Sequence, residues 1–458
     1  MSRFADPAER ILPAAGDRVV VAGTGLSGAA AARALIELGA AVTVTDDGPG
    51  RALDGAHRAV FGGMDPALAG EADLIVASPG IVPGAPLLIA AREAAVPVWS
   101  EVELGFRLTE APIVAVTGTN GKTTTTEMIA AALGRFGAVA AGNIGTTLTG
   151  VAGAARGVIV CELSSFQLQH VVSFRARIAV LLNIAEDHLD WHGSFDAYAA
   201  AKARIFANQE ASDTAIVHDD PICERIAHGE ASRIAFSEAR LPAGGAGVAG
   251  GAIVAGRVRI ALDALAARGN GMLADAVAAA AAADAFGADP ADVAAALAAF
   301  HPGRHRASLV ATIGDVDYVN DSKATNPHAT LAALHGRTGV VLIAGGRNKG
   351  MNLAALALAG GVAGVVAIGE SAGEVESAFA RAGVPVVRAN SMRDAVDAAR
   401  SMARPGGVVM LSPACASFDW YRGYAERGDD FERIVLATAE SGGSAVTIGE
   451  RQPRRGDA

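Results

Sequence analysis

The stretch VAVTGTNGKTTTTEMI, residues 114–129, constrains this chain most. The apolar residues 113–116 predict a buried strand. They feed a glycine-bracketed loop over residues 117–122, then a run of hydroxyls and a helical segment. A loop between strand and helix turns its backbone N–H groups towards phosphate, and the helix N-terminus adds positive potential. Gly118, Thr119, Asn120, Gly121, Lys122, Thr123 and Thr124 are the expected nucleotide-binding residues. Lys122 can reach the outer phosphates and Thr123 can offer its hydroxyl to Mg²⁺. The loop is shorter between its glycines than the commonest pattern of this type. A run of four threonines would otherwise open a helix poorly. The chain is therefore expected to bind and hydrolyse a nucleoside triphosphate.

A length of 458 residues allows two to four domains, each with its own core. A net charge of −10 argues against a general nucleic-acid binder, although a few focused cations can still hold an anionic substrate. The apolar runs are too short for a membrane span, which needs about 20 residues. The N-terminal MSRFADPAER lacks the order of a secretory signal. Cys161, Cys223 and Cys415 form no CxxC pair, so neither zinc nor a disulfide framework is expected. A reduced, cytoplasmic setting fits this cysteine usage.

The expected fold class is α/β in three domains. Residues 1–110 read strand, Gly-rich turn, helix, strand, a Rossmann-like domain. Residues 111–302 form a central P-loop mononucleotide-binding domain with a mostly parallel sheet, in which residues 241–256 are loop or hairpin. From the break at HPGRHR, residues 303–440 alternate strands and helices as a second Rossmann-like domain, and residues 441–458 are expected to be a flexible tail.

The chemistry-bearing residues fall at predicted strand ends, where α/β sheets present ligand groups. Gly23, Gly25 and Gly28 with Asp46 match a dinucleotide fingerprint. The same glycines can serve tight packing or another diphosphate. Glu162, at the end of a strand, is placed to hold Mg²⁺; the bland alternative is an acid at a helix start. Asp187, His188, Asp190 and His192 cluster after another strand without a common zinc spacing. Lys202 lies in an Ala-rich helical run and, by itself, reads as a surface lysine. Beyond residue 303 come RHR, NDSKATNP, IAGGRNKG and LSPACASFDWYRGYAERG. Their Arg306, Lys323 and Lys349 point to a second anion-binding surface, although single loops of this composition also suit turns.

Taken together, GTGLSG, SPGI, GTNGKTT, GNIG, ELSSFQL, NIAEDHLDWH, AAKARIF, HR, DSKATN, GGRNKG and SPACASFDWYRGYAERG closely resemble the Mur ligase family along nearly the whole chain. DSKATN and SPACASFD resemble the members that add D-glutamate to UDP-N-acetylmuramoyl-L-alanine. The resemblance implies an ATP-dependent ligase of peptidoglycan precursor synthesis working through an acyl phosphate. It implies that Lys122 holds the β- and γ-phosphates, that Thr123 and Glu162 bind Mg²⁺, and that His188 binds a second Mg²⁺. Lys202 resembles a family lysine that is carbamylated, which would make it a carboxylate-like organiser of metal. Leu26 and Ser27 would lie near the uridine diphosphate, Asn143 would contact the muramoyl substrate, and Ser78 and Ser164 are further expected substrate-binding residues. Arg306 and Asp321 would contact ATP. Lys323, Thr325, Lys349, Ser417, Phe418 and Tyr424 would form the D-glutamate site, with Tyr424 where some relatives carry phenylalanine. Because these groups fall in different domains, domain closure is expected. A monomer is expected.

The chain departs from the family at two places. Met272 and Asp275 replace two asparagines near the adenine, and Asp47 and Gly48 replace a Thr-Arg pair at the uracil. Those contacts must differ in detail. The alternatives are a ligase for another amino acid such as L-glutamate, a folylpolyglutamate synthase-like enzyme, an NAD-dependent oxidoreductase, or a non-catalytic nucleotide-binding module. An oxidoreductase would leave the phosphate loop and Lys202 without a role.

Overall fold

The computed structural model describes residues 3–265, 272–441 and 446–448. Contacts divide the chain into two compact units. The first contains Met1–Ile184, Trp191–Ala264 and Ala274–Phe300; the second contains Ala185–Asp190, Leu265–Leu273 and His301–Ala458.

The first unit holds two sheets. The smaller has five parallel strands, β1 (Arg18–Ala22), β2 (Ala41–Asp46), β3 (Arg58–Phe61), β4 (Leu74–Ala77) and β5 (Val98–Ser100), in the order β3-β2-β1-β4-β5. The central β1 and β4 are almost wholly apolar because both their faces are covered. Leu35, Val42 and Trp99 pack on one side, and Leu68, Leu87 and Leu88 on the other.

The larger sheet comprises β6 (Ile113–Thr117), β7 (Val139–Gly142), β8 (Ile159–Glu162), β9 (Ile178–Leu181), β10 (Thr214–His218), β11 (Ser232–Ser237), β12 (Ala246–Ala249), β13 (Ala252–Ala255) and β14 (Val258–Ala261). Their order is β14-β13-β12-β11-β10-β9-β6-β8-β7. β6, which feeds the phosphate loop, is fully buried between parallel neighbours β8 and β9. The glycine-rich residues 241–256 hold an antiparallel hairpin, β12–β13, as the composition suggests. Helices Leu273–Phe286 and Pro290–Ala298 follow it.

The two sheets are joined through the helices Glu101–Leu108 and Leu148–Ala152. Ser100 caps the first, its hydroxyl accepting from the Glu103 amide. A side chain at Gly105 would meet Leu148 Cγ at 2.6 Å, so glycine permits the close approach. Glu101 accepts from both the amide and the hydroxyl of Thr149 across the contact.

The second unit is built on β15 (Ser308–Ile313), β16 (Val316–Asn320), β17 (Val340–Gly345), β18 (Val362–Ile368), β19 (Val386–Arg388), β20 (Val408–Leu411) and β21 (Val446–Ile448), ordered β19-β18-β17-β20-β16-β15-β21. Five strands from β19 to β16 are parallel; β15 and β21 run antiparallel at one edge. β21 thus gives residues 446–448 a place in the sheet, within a segment expected to be a flexible tail. Residues 442–445 and 449–458 of that segment lie outside the described residues, as do residues 266–271 before the adenine-region departure. Among the described residues, no helix is long and apolar enough to cross a membrane.

Candidate active site

In the first unit, β6 ends at Thr117, whose hydroxyl donates to the Leu163 carbonyl at 2.8 Å and ties the loop root to the strand carrying Glu162. The loop is then pinned from β9. Thr119 N donates to the Asn183 carbonyl (3.0 Å), and Asn183 exchanges two side-chain hydrogen bonds with the backbone of Asn120. Gly118 and Gly121 have φ of +156° and +84°. At Gly121 a Cβ would also come within 2.1 Å of Asp275 Oδ1. Asp275 accepts from the Thr125 hydroxyl at 3.0 Å and so braces the first turn of the helix Lys122–Ala132. Sequence reasoning noted Asp275 only as a departure; its position under the loop is decided by the fold of the helix Leu273–Phe286.

Lys122 Nζ folds back onto the carbonyls of Gly118 and Thr119, at 3.0 and 2.8 Å. Lys202 is 2% exposed, which overturns the reading of it as a surface lysine. Its Nζ donates to Gly118 O at 2.6 Å and lies 4.8 Å from the centroid of Tyr198, whose hydroxyl meets Thr119 Oγ1. Two lysines and the loop threonines Thr123 and Thr124 therefore surround one loop.

Glu162 ends β8 and is buried. Its Oε1 accepts from Asn143 Nδ2 at 3.1 Å, while Oε2 is buried without a hydrogen-bond partner. An orphaned carboxylate oxygen in this position is costly unless a cation completes it. Among the described residues no group of three or more His, Cys, Asp and Glu stands together as a metal cage. A lone carboxylate oxygen beside a phosphate loop fits an ion that takes much of its coordination from phosphate and water, as Mg²⁺ does. Ser164 caps the short helix Ser165–Leu168 in a reciprocal box with Gln167. His192 is held by Ser165 and Gln169 and stacks on Phe166, so it belongs to the packing of this turn.

At the smaller sheet, Leu26 opens the helix Leu26–Glu37 and is 63% exposed, with Ser27 half-buried beside it. Ser78 donates to the Gly23 carbonyl at 3.3 Å. Asp46, which a dinucleotide fingerprint would direct at ribose, is held by the amide and hydroxyl of Thr24 and the amide of Gly48. Burial alone would raise its carboxyl; the hydrogen bonds from Thr24 outweigh this and hold it below the usual range. Asp47 makes none of these side-chain bonds.

In the second unit, three loops leave the C-terminal ends of the neighbouring strands β16, β20 and β17. They carry Asp321, Lys323 and Thr325; then Ser417 and Phe418; then Lys349. This is the edge at which parallel sheets bind ligands. Asp321 is buried, accepting from Ala307 N (3.0 Å) and Ser412 Oγ (2.8 Å). Burial pushes its carboxyl up to about 7, against those hydrogen bonds and the nearby charge of Arg306. Lys323 Nζ sits 3.9 Å from the centroid of Tyr424, a cation–π contact. Ser417 is buried, Thr325 half-buried and Phe418 60% exposed.

Asp187 gathers the rest. Lys349 Nζ donates to its Oδ1 at 3.3 Å and Asn326 Nδ2 to its Oδ2 at 3.2 Å; His188 Nε2 lies 3.7 Å away. Burial works to raise this carboxyl, but the charges of Lys349 and His188 and these hydrogen bonds hold it below the usual range. His188 has φ +53°, and His305 and Ala414 of the same unit have φ +64° and +61°. Non-glycine residues held in this region mark strained, over-determined loops, which concentrate at functional sites.

A phosphate loop with a buried lysine in one unit, and a cationic three-loop edge in the other, define a nucleotide-dependent ligase of the α/β class. Family models agree: "Mur ligase MurD-like, N-terminal domain" matches residues 17–100, "Mur ligase middle domain" residues 116–240, and "Mur ligase, glutamate ligase domain" residues 305–415. The chain belongs to the Mur ligase family. It is 43% identical over 447 residues to UDP-N-acetylmuramoylalanine–D-glutamate ligase of Frankia casuarinae, covering 92% of this chain and 94% of that protein. It is 41% identical to the protein of that name from Pelotomaculum thermopropionicum, covering 92% and 97%. The solved MurF ligase of Thermotoga maritima in complex with ADP shares the fold, with a TM-score of 0.57 at 16% identity, covering 96% of this chain and 100% of that one.

Proposed function

We propose that this chain is an ATP-dependent ligase that joins D-glutamate to UDP-N-acetylmuramoyl-L-alanine in the cytoplasm, a step of peptidoglycan precursor synthesis. The observation that carries the reading is the presence of two kinds of anion-handling loop in a chain so similar to D-glutamate ligases. A nucleotide hydrolase needs the phosphate loop; it does not need Lys323 and Lys349 on a second sheet edge.

A carboxylate is a poor acyl donor. Its oxygen would attack the γ-phosphorus of ATP, the bond to ADP would break, and the acyl phosphate would have a good leaving group. The amine of D-glutamate would then attack the acyl carbon, phosphate would leave, and the nitrogen would lose a proton to give the amide. The protein's share is positioning and charge neutralisation. Lys122, released from its loop carbonyls, would hold the γ-phosphate, and Arg306 with Asp321 would serve the nucleotide. Asn143 and Ser164 would orient the muramoyl part, and Leu26, Ser27 and Ser78 would lie at the UDP. Lys323, Thr325, Lys349, Ser417, Phe418 and Tyr424 would receive D-glutamate.

Thr123 and Glu162 would hold Mg²⁺ in the first unit, and His188 is the candidate for a second ion in the second. Mg²⁺, when bound, neutralises charge that builds on phosphate oxygens. Lys202 Nζ would first lose a proton to become a free amine; its attack on CO₂ would then give a carbamate and release a second proton, turning a buried cation into an anion beside the loop.

The test is a panel of D-glutamate, L-glutamate, meso-diaminopimelate and L-lysine with ATP and UDP-N-acetylmuramoyl-L-alanine. Product with D-glutamate is expected. Turnover only with another amino acid would overturn the reading.

A further inference from the structure

The structure assigns Arg427 as a positioning residue that locks together the loops forming the D-glutamate site; the assignment rests on the proposed function. Arg427 is 1% exposed, among the largest fully buried side chains. It lies in the helix Tyr424–Ser441, one turn after Tyr424.

Its guanidinium fork is spent on backbone and hydroxyl of two loops. Nε donates to Ser322 Oγ at 3.0 Å, Nη2 to the Ser322 carbonyl at 2.9 Å and Nη1 to the Cys415 carbonyl at 3.1 Å. The Ser322 hydroxyl passes its own proton to the Tyr424 carbonyl at 2.7 Å, so donors and acceptors match. The third loop is against it too. A Cβ at Gly346 would sit 3.3 Å from Nη1, and Gly346 stands at φ +134°. Lys323 follows Ser322 directly, Ser417 is two residues beyond Cys415, and Lys349 three beyond Gly346. Every loop that presents a D-glutamate group is therefore fixed close to this one side chain.

Among the described residues, Arg427 makes no ion pair with a carboxylate. Desolvation lowers it to about 10 against the charges of Asp419 and Asp321, which leaves it charged at neutral pH. A buried guanidinium with no carboxylate in contact is expensive if it serves only packing. Beneath a site for a dicarboxylic amino acid, the same charge favours the ligand. A lysine could supply the charge but not three donors in a fixed plane.

The experiment is steady-state kinetics of full-length Arg427→Lys and Arg427→Met, with KM measured separately for D-glutamate and for the UDP-sugar substrate. Arg427→Lys is expected to raise KM for D-glutamate about tenfold through loss of the planar fork, and Arg427→Met about a hundredfold through loss of charge as well. KM for the UDP-sugar should stay within about twofold, because its residues lie in the first unit. Should these variants fail to fold, Ser322→Ala, which removes the acceptor for Arg427 Nε and the donor to the Tyr424 carbonyl but keeps the Ser322 carbonyl, is expected to raise KM for D-glutamate about threefold. An unchanged KM for D-glutamate, or an equal rise for both substrates, would show a purely structural arginine and overturn the assignment. Wild-type protein without D-glutamate turnover would overturn the functional reading, and the assignment with it.

Discussion

Lys122 and Lys202, eighty positions apart, donate to the same backbone oxygen, that of Gly118, at 3.0 and 2.6 Å. Two ammonium groups on one carbonyl repel each other, the more so where water is scarce. In the proposed reaction, a γ-phosphate at Lys122 and carbamylation of Lys202 would relieve the conflict. The proposed carbamate on Lys202 would remove one of these two charges, at the cost of the hydrogen bond to Gly118 O and the contact with the Tyr198 ring.

Lys202→Ala is therefore expected to lose activity about a hundredfold or more, and millimolar acetate or formate should restore part of it. The carboxylate would occupy the place of the carbamate. Full activity in the variant, measured as ADP release and amide product, would sink the carbamate role.

Glu162→Gln tests the orphaned carboxylate oxygen. Removing an unpaired buried charge should leave the melting temperature unchanged or higher, while activity falls by about a hundredfold. Thermal unfolding without metal and a Mg²⁺ titration of activity are the measurements. Wild-type activity with an unshifted Mg²⁺ dependence would rule out the metal role.

Gly121→Ala combines a strained φ with a Cβ 2.1 Å from Asp275 Oδ1. Affinity for ATP is expected to fall about tenfold or more. Gly134, where a Cβ meets nothing within 4 Å, is the control position for substitution by alanine. Equal ATP affinity in the two variants, by calorimetry, would count against a shape requirement at the loop.

Asp321 gives a pH signature. Its folded pKa, raised to about 7, exceeds the unfolded value near 4, so the native state binds the extra proton. Its stability contribution is full below about pH 4 and is lost as pH rises towards about 7. Asp321→Asn carries no such titration. Its melting temperature relative to wild type should climb with pH across this window, on the order of a few degrees. A constant difference from pH 4 to 8 would refute the raised pKa.

The strands that the sequence makes legible are those buried on both faces. β6, β8, β9, β17 and β20 are short, nearly continuous apolar runs, the composition of a strand covered on both faces. β3, with its mostly exposed residues, and β15, partly exposed beside a hairpin turn, lack that signal. β21 is only three residues long and gains its place by pairing with β15.

Chemistry that depends on residues adjacent in the chain was determined by the sequence alone: a loop that bends through glycines, a lysine at its end, a hydroxyl at the first helical turn. Family membership was legible too, through the order of such strings. Tertiary structure alone decided what depends on burial and on partners far along the chain. It placed Lys202 on Gly118 O and drew Asp275 beneath the loop. It turned Asp187 into the anchor of Lys349 and Asn326, and buried Arg427 among three loops. The physical reason is that a side chain's charge cost and hydrogen-bond geometry are set by neighbours that only the packed sheets bring within reach.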